Sequence, residues 1–133
     1  PLTVETHGMI GRELYECMKP SSLFITTARG FIHDERALVE AISEGRIAGA
    51  GCDVFCEEPP PFDHPLLKFE NVIVSPHIAG VTTDANYNMA TFAADQWGDI
   101  FAGRKPERLK NPEAWEHYCT RYYKLFGEKP NAA

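Results

Sequence analysis

The sequence lacks any apolar run near the roughly 18 residues that a membrane-spanning helix needs, so no membrane partner is expected. It has no basic stretch ahead of an apolar segment, which argues against a secretory signal. It also lacks an excess of positive charge: 13 Lys and Arg stand against 19 Asp and Glu, for a formal net charge of −6. A nucleic-acid footprint is basic, so that partner class is excluded. Cysteine is scarce. Cys17, Cys52, Cys56 and Cys119 have neither C-x-x-C nor zinc-ligand spacing, and all four read as reduced thiols of a cytoplasmic protein without a metal site. There is no internal repeat and no low-complexity stretch. No Met precedes Pro1-Leu2-Thr3, and the chain reads as a piece of something longer.

What is present fits one globular domain. The 133 residues are 44% hydrophobic and 24% charged, enough for one real core. Helix-like and strand-like segments alternate. Ile10, Leu14, Cys17 and Met18 lie at helical spacing within residues 7–18, and Pro20 stops that helix. Leu23 to Ala28 is a β-prone run. Asp34 or His33 can cap a helix carrying Ala37, Leu38, Ala41 and Ile42 on one face, and Gly45 ends it. Ile47 to Phe55 reads as a second strand, apolar on both faces, as in a parallel sheet covered by helices on both sides. Pro59, Pro60, Pro61 and Pro65 mark a loop, and Asn71 to Ser75 is a third strand stopped by Pro76. Thr82 or Thr83 then caps a long helix to about Ala102, with Ala85, Met89, Phe92, Ala93, Trp97 and Ile100 as its apolar stripe. A turn at Gly103, a short helix around residues 112–126 and a polar tail ending in Ala132 and Ala133 complete the chain. Trp115, Tyr118, Tyr122, Tyr123 and Phe126 read as packing for the last helix.

This alternation implies an α/β fold with β-α-β crossovers and a parallel sheet. Three strands are fewer than such a domain usually has, which again suggests that part of the fold lies elsewhere. In an open parallel sheet, ligands sit outside the carboxyl ends of the strands. At those ends stand Arg29 after strand one, Asp53 and then Glu58 after strand two, and His77 after strand three. Arg29 offers a fork that suits a carboxylate. His77 can hold or release a proton, and a carboxylate beside it favours the imidazolium. Reduction of a 2-keto acid needs such a set: a grip for the acid and a proton donor for the carbonyl. His7, His64 and His117 have no partner pattern and read as surface residues.

Five stretches, in order, resemble the D-isomer-specific 2-hydroxyacid dehydrogenases. They are Pro1-Leu2-Thr3 with Thr6; Met18-Lys19-Pro20; Thr27-Ala28-Arg29-Gly30 with Asp34-Glu35 and Ala37-Leu38; Gly45 to Ala50 with Asp53-Val54-Phe55 and Glu58-Pro59; and Ser75 to Gly80. The resemblance covers residues 1 to about 102. It implies a partial Rossmann-type sheet, the nicotinamide half of a cofactor domain, over residues 1–81. Residues 82–133 would be the helix returning to the substrate domain and a C-terminal tail. NAD or NADP would be the cofactor, and a 2-keto or D-2-hydroxy acid the substrate.

Carried over by position, Arg29 would bind the substrate carboxylate and carbonyl. His77 would be the acid/base and Glu58 its partner. Glu57 is the adjacent competitor, and Glu58 is preferred because it precedes Pro59. Glu58 also points away from the formate dehydrogenase branch, which has glutamine there. Asp53 would hydrogen-bond the nicotinamide carboxamide. Pro1, Thr3, Thr27, Ala28, Arg29, His77, Ala79 and Gly80 would line the nicotinamide and its ribose.

The sequence departs from the family at Thr26, where Asn is frequent, and at His33, where a valine-like residue is usual. No Gly-x-Gly-x-x-Gly occurs, and no acidic residue for the adenine ribose; in the family both lie upstream. Alone, the chain is expected to be inactive and to bind NAD negligibly. It is also expected to expose apolar surface to the missing N-terminal part of the same protein, with a homodimer as the assembly. The rival reading is a nucleotide-sensing, corepressor-like binding protein of the same fold.

Overall fold

The computed structural model describes residues 1–130, so the tail residues Ala132 and Ala133 lie outside the described residues. Three short strands, β1 (Leu23–Thr26), β2 (Gly49–Cys52) and β3 (Val72–Val74), pair in parallel in that order. Each is shorter than the sequence suggests. Leu23 pairs with Gly49 and Thr26 with Cys52; Ala50 pairs with Val72 and Cys52 with Val74. The strands therefore end level, at Thr26, Cys52 and Val74. β2 reads Gly-Ala-Gly-Cys, which is poor in β-branched residues. It forms a strand because it is central, paired on both sides and almost wholly buried.

Helix α2 (Glu35–Ser43) covers one face of the sheet. Asp34, not His33, is its cap: the carboxylate accepts the Ala37 N–H at 3.0 Å. Ala37, Leu38, Ala41 and Ile42 form its buried stripe and meet Tyr15, Ile47, Ala50, Cys52 and Leu66 in the core. Burying a leucine as completely as Leu38 contributes about 2 kcal/mol.

The expected helix over residues 7–18 shrinks to α1 (Arg12–Glu16). Gly8 adopts φ +66, a left-handed conformation that breaks a helix, and Ile10 instead bridges His33 in parallel. The Gly8 N–H reaches the Phe31 carbonyl at 2.8 Å, tying this segment to the turn that follows β1.

On the other face of the sheet Leu23, Ile25 and Ile73 point away from the core of the first compact unit and are 61%, 71% and 78% exposed, the apolar surface expected of a partial sheet.

The chain divides into two units, Pro1–Gly80 and Val81–Ala133. The second contains α3 (Thr83–Phe101) and α4 (Ala114–Phe126). Thr82 caps α3, its hydroxyl accepting the Ala85 N–H at 3.0 Å. No residue of either helix is buried, so the apolar stripe foreseen on α3 remains open to solvent. Along α4 the Trp115 ring stacks on Tyr118, and Tyr122 and Phe126 continue the row as tilted contacts; the Tyr118 hydroxyl donates to the Ile100 carbonyl. Among the described residues, no helix is long and apolar enough to cross a membrane.

Candidate active site

Because the three strands end level, their next residues, Thr27, Asp53 and Ser75, emerge at one edge. The ladder continues past the tips: Asp53 N–H donates to Thr26 O at 3.0 Å, and Ser75 N–H to Cys52 O at 3.0 Å.

Asp53 is 5% exposed and makes no ion pair among the described residues. Its Oδ1 accepts the Ser75 hydroxyl at 2.6 Å and the Ile78 N–H at 2.9 Å; its Oδ2 accepts the Ala79 N–H at 2.9 Å. The Ser75 hydroxyl, followed by the Ala79 and Ile78 amides and the nearby His77 ring, holds the Asp53 carboxyl below its ordinary range. The Asp53 carbonyl also accepts the His77 N–H at 2.8 Å.

His77 has φ +54, the left-handed region that only a few non-glycine residues adopt. Its Nδ1 lies 2.8 Å from Glu58 Oε2. Glu58 Oε1 turns back to accept the Phe55 N–H at 3.0 Å, so the carboxylate is anchored at both ends. The His77 contact first, then the Phe55 amide, with the Arg29 charge nearby, keeps the Glu58 carboxyl below its ordinary value. An ionised Glu58 accepts only, so His77 carries its proton on Nδ1 and leaves Nε2 for a second partner. Glu57 makes no such contact. A cavity of about 450 Å³ opens here, with Asp53, Glu58 and His77 on one side and Phe55, Leu67 and Val74 among its apolar walls.

Arg29 stands beside this cavity rather than in its wall. A Cβ on Gly30 would lie 2.1 Å from the Phe55 carbonyl carbon and oxygen, so only glycine lets the Arg29-Gly30 backbone rest against Phe55 and Cys56. The Arg29 guanidinium donates to the Ala28 carbonyl and has no carboxylate partner among the described residues. Thr27 and Ala28 form the exposed link between β1 and Arg29. Ala79 joins the site through its amide, and Gly80 follows it, exposed. Pro1 and Thr3 are not brought to the Glu58–His77 pair. They close their own turn, in which the Thr6 hydroxyl donates to the Pro1 carbonyl at 2.9 Å and the Thr3 N–H donates to Thr6 Oγ1 at 2.8 Å.

Two residues make contacts that the sequence reading did not foresee. Ser75 carried no signal of its own, since its partner Asp53 is 22 positions away. His64 is not a free surface residue. Its Nδ1 caps the turn at Leu66, its Nε2 lies 3.4 Å from Glu35 Oε2, and its ring packs edge-on against Phe55.

Residues 1–79 match the family model for the D-isomer specific 2-hydroxyacid dehydrogenase NAD binding domain. The chain belongs to this family. Among its curated relatives is a glyoxylate/hydroxypyruvate reductase B of Pectobacterium carotovorum. The two are 47% identical over 113 residues, which make up 85% of this chain and 35% of that protein. Of the solved structures, the NAD-complexed D-isomer specific 2-hydroxyacid dehydrogenase of Lactobacillus delbrueckii ssp. bulgaricus superposes with a TM-score of 0.75 at 33% identity. That match covers 84% of this chain and 38% of the other. The NADPH-dependent glyoxylate/hydroxypyruvate reductase of Sinorhizobium meliloti gives a TM-score of 0.70 at 32% identity, covering 78% of this chain and 33% of the other. The chain thus spans about a third of the length of the relatives it matches.

Proposed function

We propose that the protein carrying this chain is an oxidoreductase that moves hydride between NAD or NADP and a 2-keto or D-2-hydroxy acid. The observation that carries this reading is the Glu58–His77 contact of 2.8 Å, set in a cavity beside buried Asp53 at the carboxyl edge of the sheet. Arg29 contributes a guanidinium with no carboxylate partner among the described residues, available to grip the carboxylate of the acid. His77 donates a proton from Nε2 to the carbonyl oxygen during reduction and accepts it during oxidation. Glu58 holds the Nδ1 proton, fixes the ring and offsets the positive charge on the imidazolium.

The residues present fit a nicotinamide. A carboxylate has about four acceptor positions, and Asp53 has filled three, leaving one on Oδ2 for a carboxamide N–H. Thr27, Ala28, Ala79 and Gly80 would supply the backbone around it, with Pro1 and Thr3 as further lining of the nicotinamide ribose. When bound, the nicotinamide supplies or takes up the hydride.

In this reading, residues 1–81 are the nicotinamide half of a cofactor domain, and 82–133 lead back to a substrate domain. In the same reading the active unit is a homodimer in the cytoplasm, completed by the N-terminal part of the same protein. The test is a chimera in which the preceding part of the Pectobacterium reductase is joined to this chain. Oxidation of NADH or NADPH with glyoxylate or hydroxypyruvate is expected, and its loss in His77→Ala. A folded chimera that binds the nucleotide yet reduces no 2-keto acid overturns the proposal.

A further inference from the structure

The acid–base pair depends on a backbone conformation that histidine does not adopt freely. At φ +54, His77 needs its neighbours to hold it. The Ser75 carbonyl shares the His77 N–H at 3.1 Å, and the rest of that support comes from one residue. The Asp53 carbonyl takes the His77 N–H, and the Asp53 carboxylate takes the next two amides, Ile78 and Ala79. Three successive N–H groups therefore converge on a single buried aspartate.

The carboxylate must also be held. It could rotate about its Cβ–Cγ bond and trade one oxygen for the other. The Ser75 hydroxyl, 2.6 Å from Oδ1, blocks that rotation by adding a third donor. Ser75 is placed independently, because its own N–H continues the sheet ladder to Cys52. We propose that Ser75 is a positioning residue: its hydroxyl locks Asp53, Asp53 holds the left-handed turn at His77, and the turn aims the imidazole at Glu58. The importance of that aim rests on the redox reading above, but the geometry of the lock does not.

Two readouts follow the chain of contacts without substrate or nucleotide. The first is amide hydrogen exchange at Ile78 and Ala79. The second is the pH midpoint of the Glu58 carboxyl carbon by NMR. That midpoint reports mainly the His77 contact, with the Phe55 amide and Arg29 as the other groups facing it. In Ser75→Ala, exchange at both amides is expected to rise about tenfold, and the Glu58 midpoint to move up toward the ordinary glutamate value. Ser75→Thr keeps the hydroxyl and should restore both to those of the unmodified chain.

Exchange at Leu38 and Ala41, in the core face of α2, shows whether the fold survives. If Ser75→Ala opens those sites as well, Ser75→Cys provides the second arm. Its thiol fills the space but donates weakly, so the Glu58 midpoint must still rise. A midpoint unchanged in a folded Ala or Cys variant overturns the proposal, as does a Thr variant that behaves like Ala. Turnover enters neither readout. A chimera without activity would sink the redox reading and leave this lock standing, and an unmoved Glu58 midpoint would do the reverse.

Discussion

The imidazole Nδ1 of His77 lies 2.8 Å from Glu58 Oε2, while the other oxygen of the same carboxylate is held by the Phe55 amide three residues back. One carboxylate thus ties the loop after β2 to the turn after β3, and its charge and its shape are separable by mutation. Glu58→Gln keeps the shape and removes the charge. In the active chimera, kcat is expected to fall about a hundredfold with KM nearly unchanged, since the charge serves proton transfer more than substrate capture. Steady-state kinetics at saturating and limiting glyoxylate separate the two constants. A variant with unaltered kcat would mean that Glu58 only braces the loop.

Both acidic residues of the site titrate lower in the folded chain than their ordinary values, Asp53 through Ser75 foremost and Glu58 through His77 foremost. The unfolded chain then binds the proton first as pH falls. Their stabilising contribution is complete above the ordinary carboxylate range and is lost as pH falls through their folded values. The melting temperature is expected to hold to about pH 5 and to drop below about pH 4. Asp53→Asn should start lower and decline less over that interval. Parallel decline of the two proteins in a thermal titration would remove Asp53 from the linkage.

Gly30 allows no side chain. A methyl group there would meet backbone atoms of Phe55 and Cys56, which cannot swing aside as a side-chain tip can. Gly30→Ala is expected to cost about 3 kcal/mol in urea unfolding. It should also push Arg29 away from the cavity, so that in the chimera KM for the keto acid rises. A cost within error of zero would show that the Arg29 turn is free to move.

Much of this architecture was readable because local chemistry decided it. Asp34 before Glu35, Thr82 before Thr83 and Gly45 after Ser43 mark helix ends wherever they occur, and they do so here. The parallel sheet followed from β-α-β alternation, and of the four residues expected at its carboxyl edge the cavity gathers Asp53, Glu58 and His77, with Arg29 beside it. The failures share a different cause. Residues 7–18 had helical spacing, but Gly8 and the Ile10–His33 bridge overrode it. Glu57 and Glu58 are identical in type and adjacent, and what separates them in the structure is the contact of Glu58 with His77 and with the Phe55 amide. Ser75 and His64 act through partners 22 and 29 positions away, and no periodicity encodes such pairs.

The open face of the sheet carries Leu23, Ile25 and Ile73, and β1 has an unpaired edge. Exposed apolar strands of this kind associate. The chain alone is expected to form reversible oligomers in sedimentation experiments. The double variant Ile25→Thr, Ile73→Thr should shift it toward monomer while leaving its melting temperature within a few degrees, because neither side chain contributes to the core. Equal association of the two proteins would place the sticky surface elsewhere.

His33 offers the sharpest pH test. It is 2% exposed, it packs against the Phe24 ring, and neither ring nitrogen has a hydrogen-bond partner among the described residues. Burial lowers its pKa, while the carboxylates of Glu35 and Asp34 pull the other way without prevailing. The folded chain therefore takes up this proton at lower pH than the unfolded chain does. Stability linked to His33 is full above its ordinary value of 6.5 and falls as pH drops from there toward the folded value. His33→Val removes both unpaired nitrogens and that slope. The variant is expected to gain about 1 kcal/mol at neutral pH, as an unsatisfied buried polar group is removed, less the packing lost against Phe24. It should gain more at about pH 5.5, below the ordinary histidine value, where the unfolded chain already holds this proton. Urea unfolding at the two pH values measures the difference directly. Equal gains at both would mean that the ring takes up its proton without cost, because Glu35 and Asp34 balance its burial.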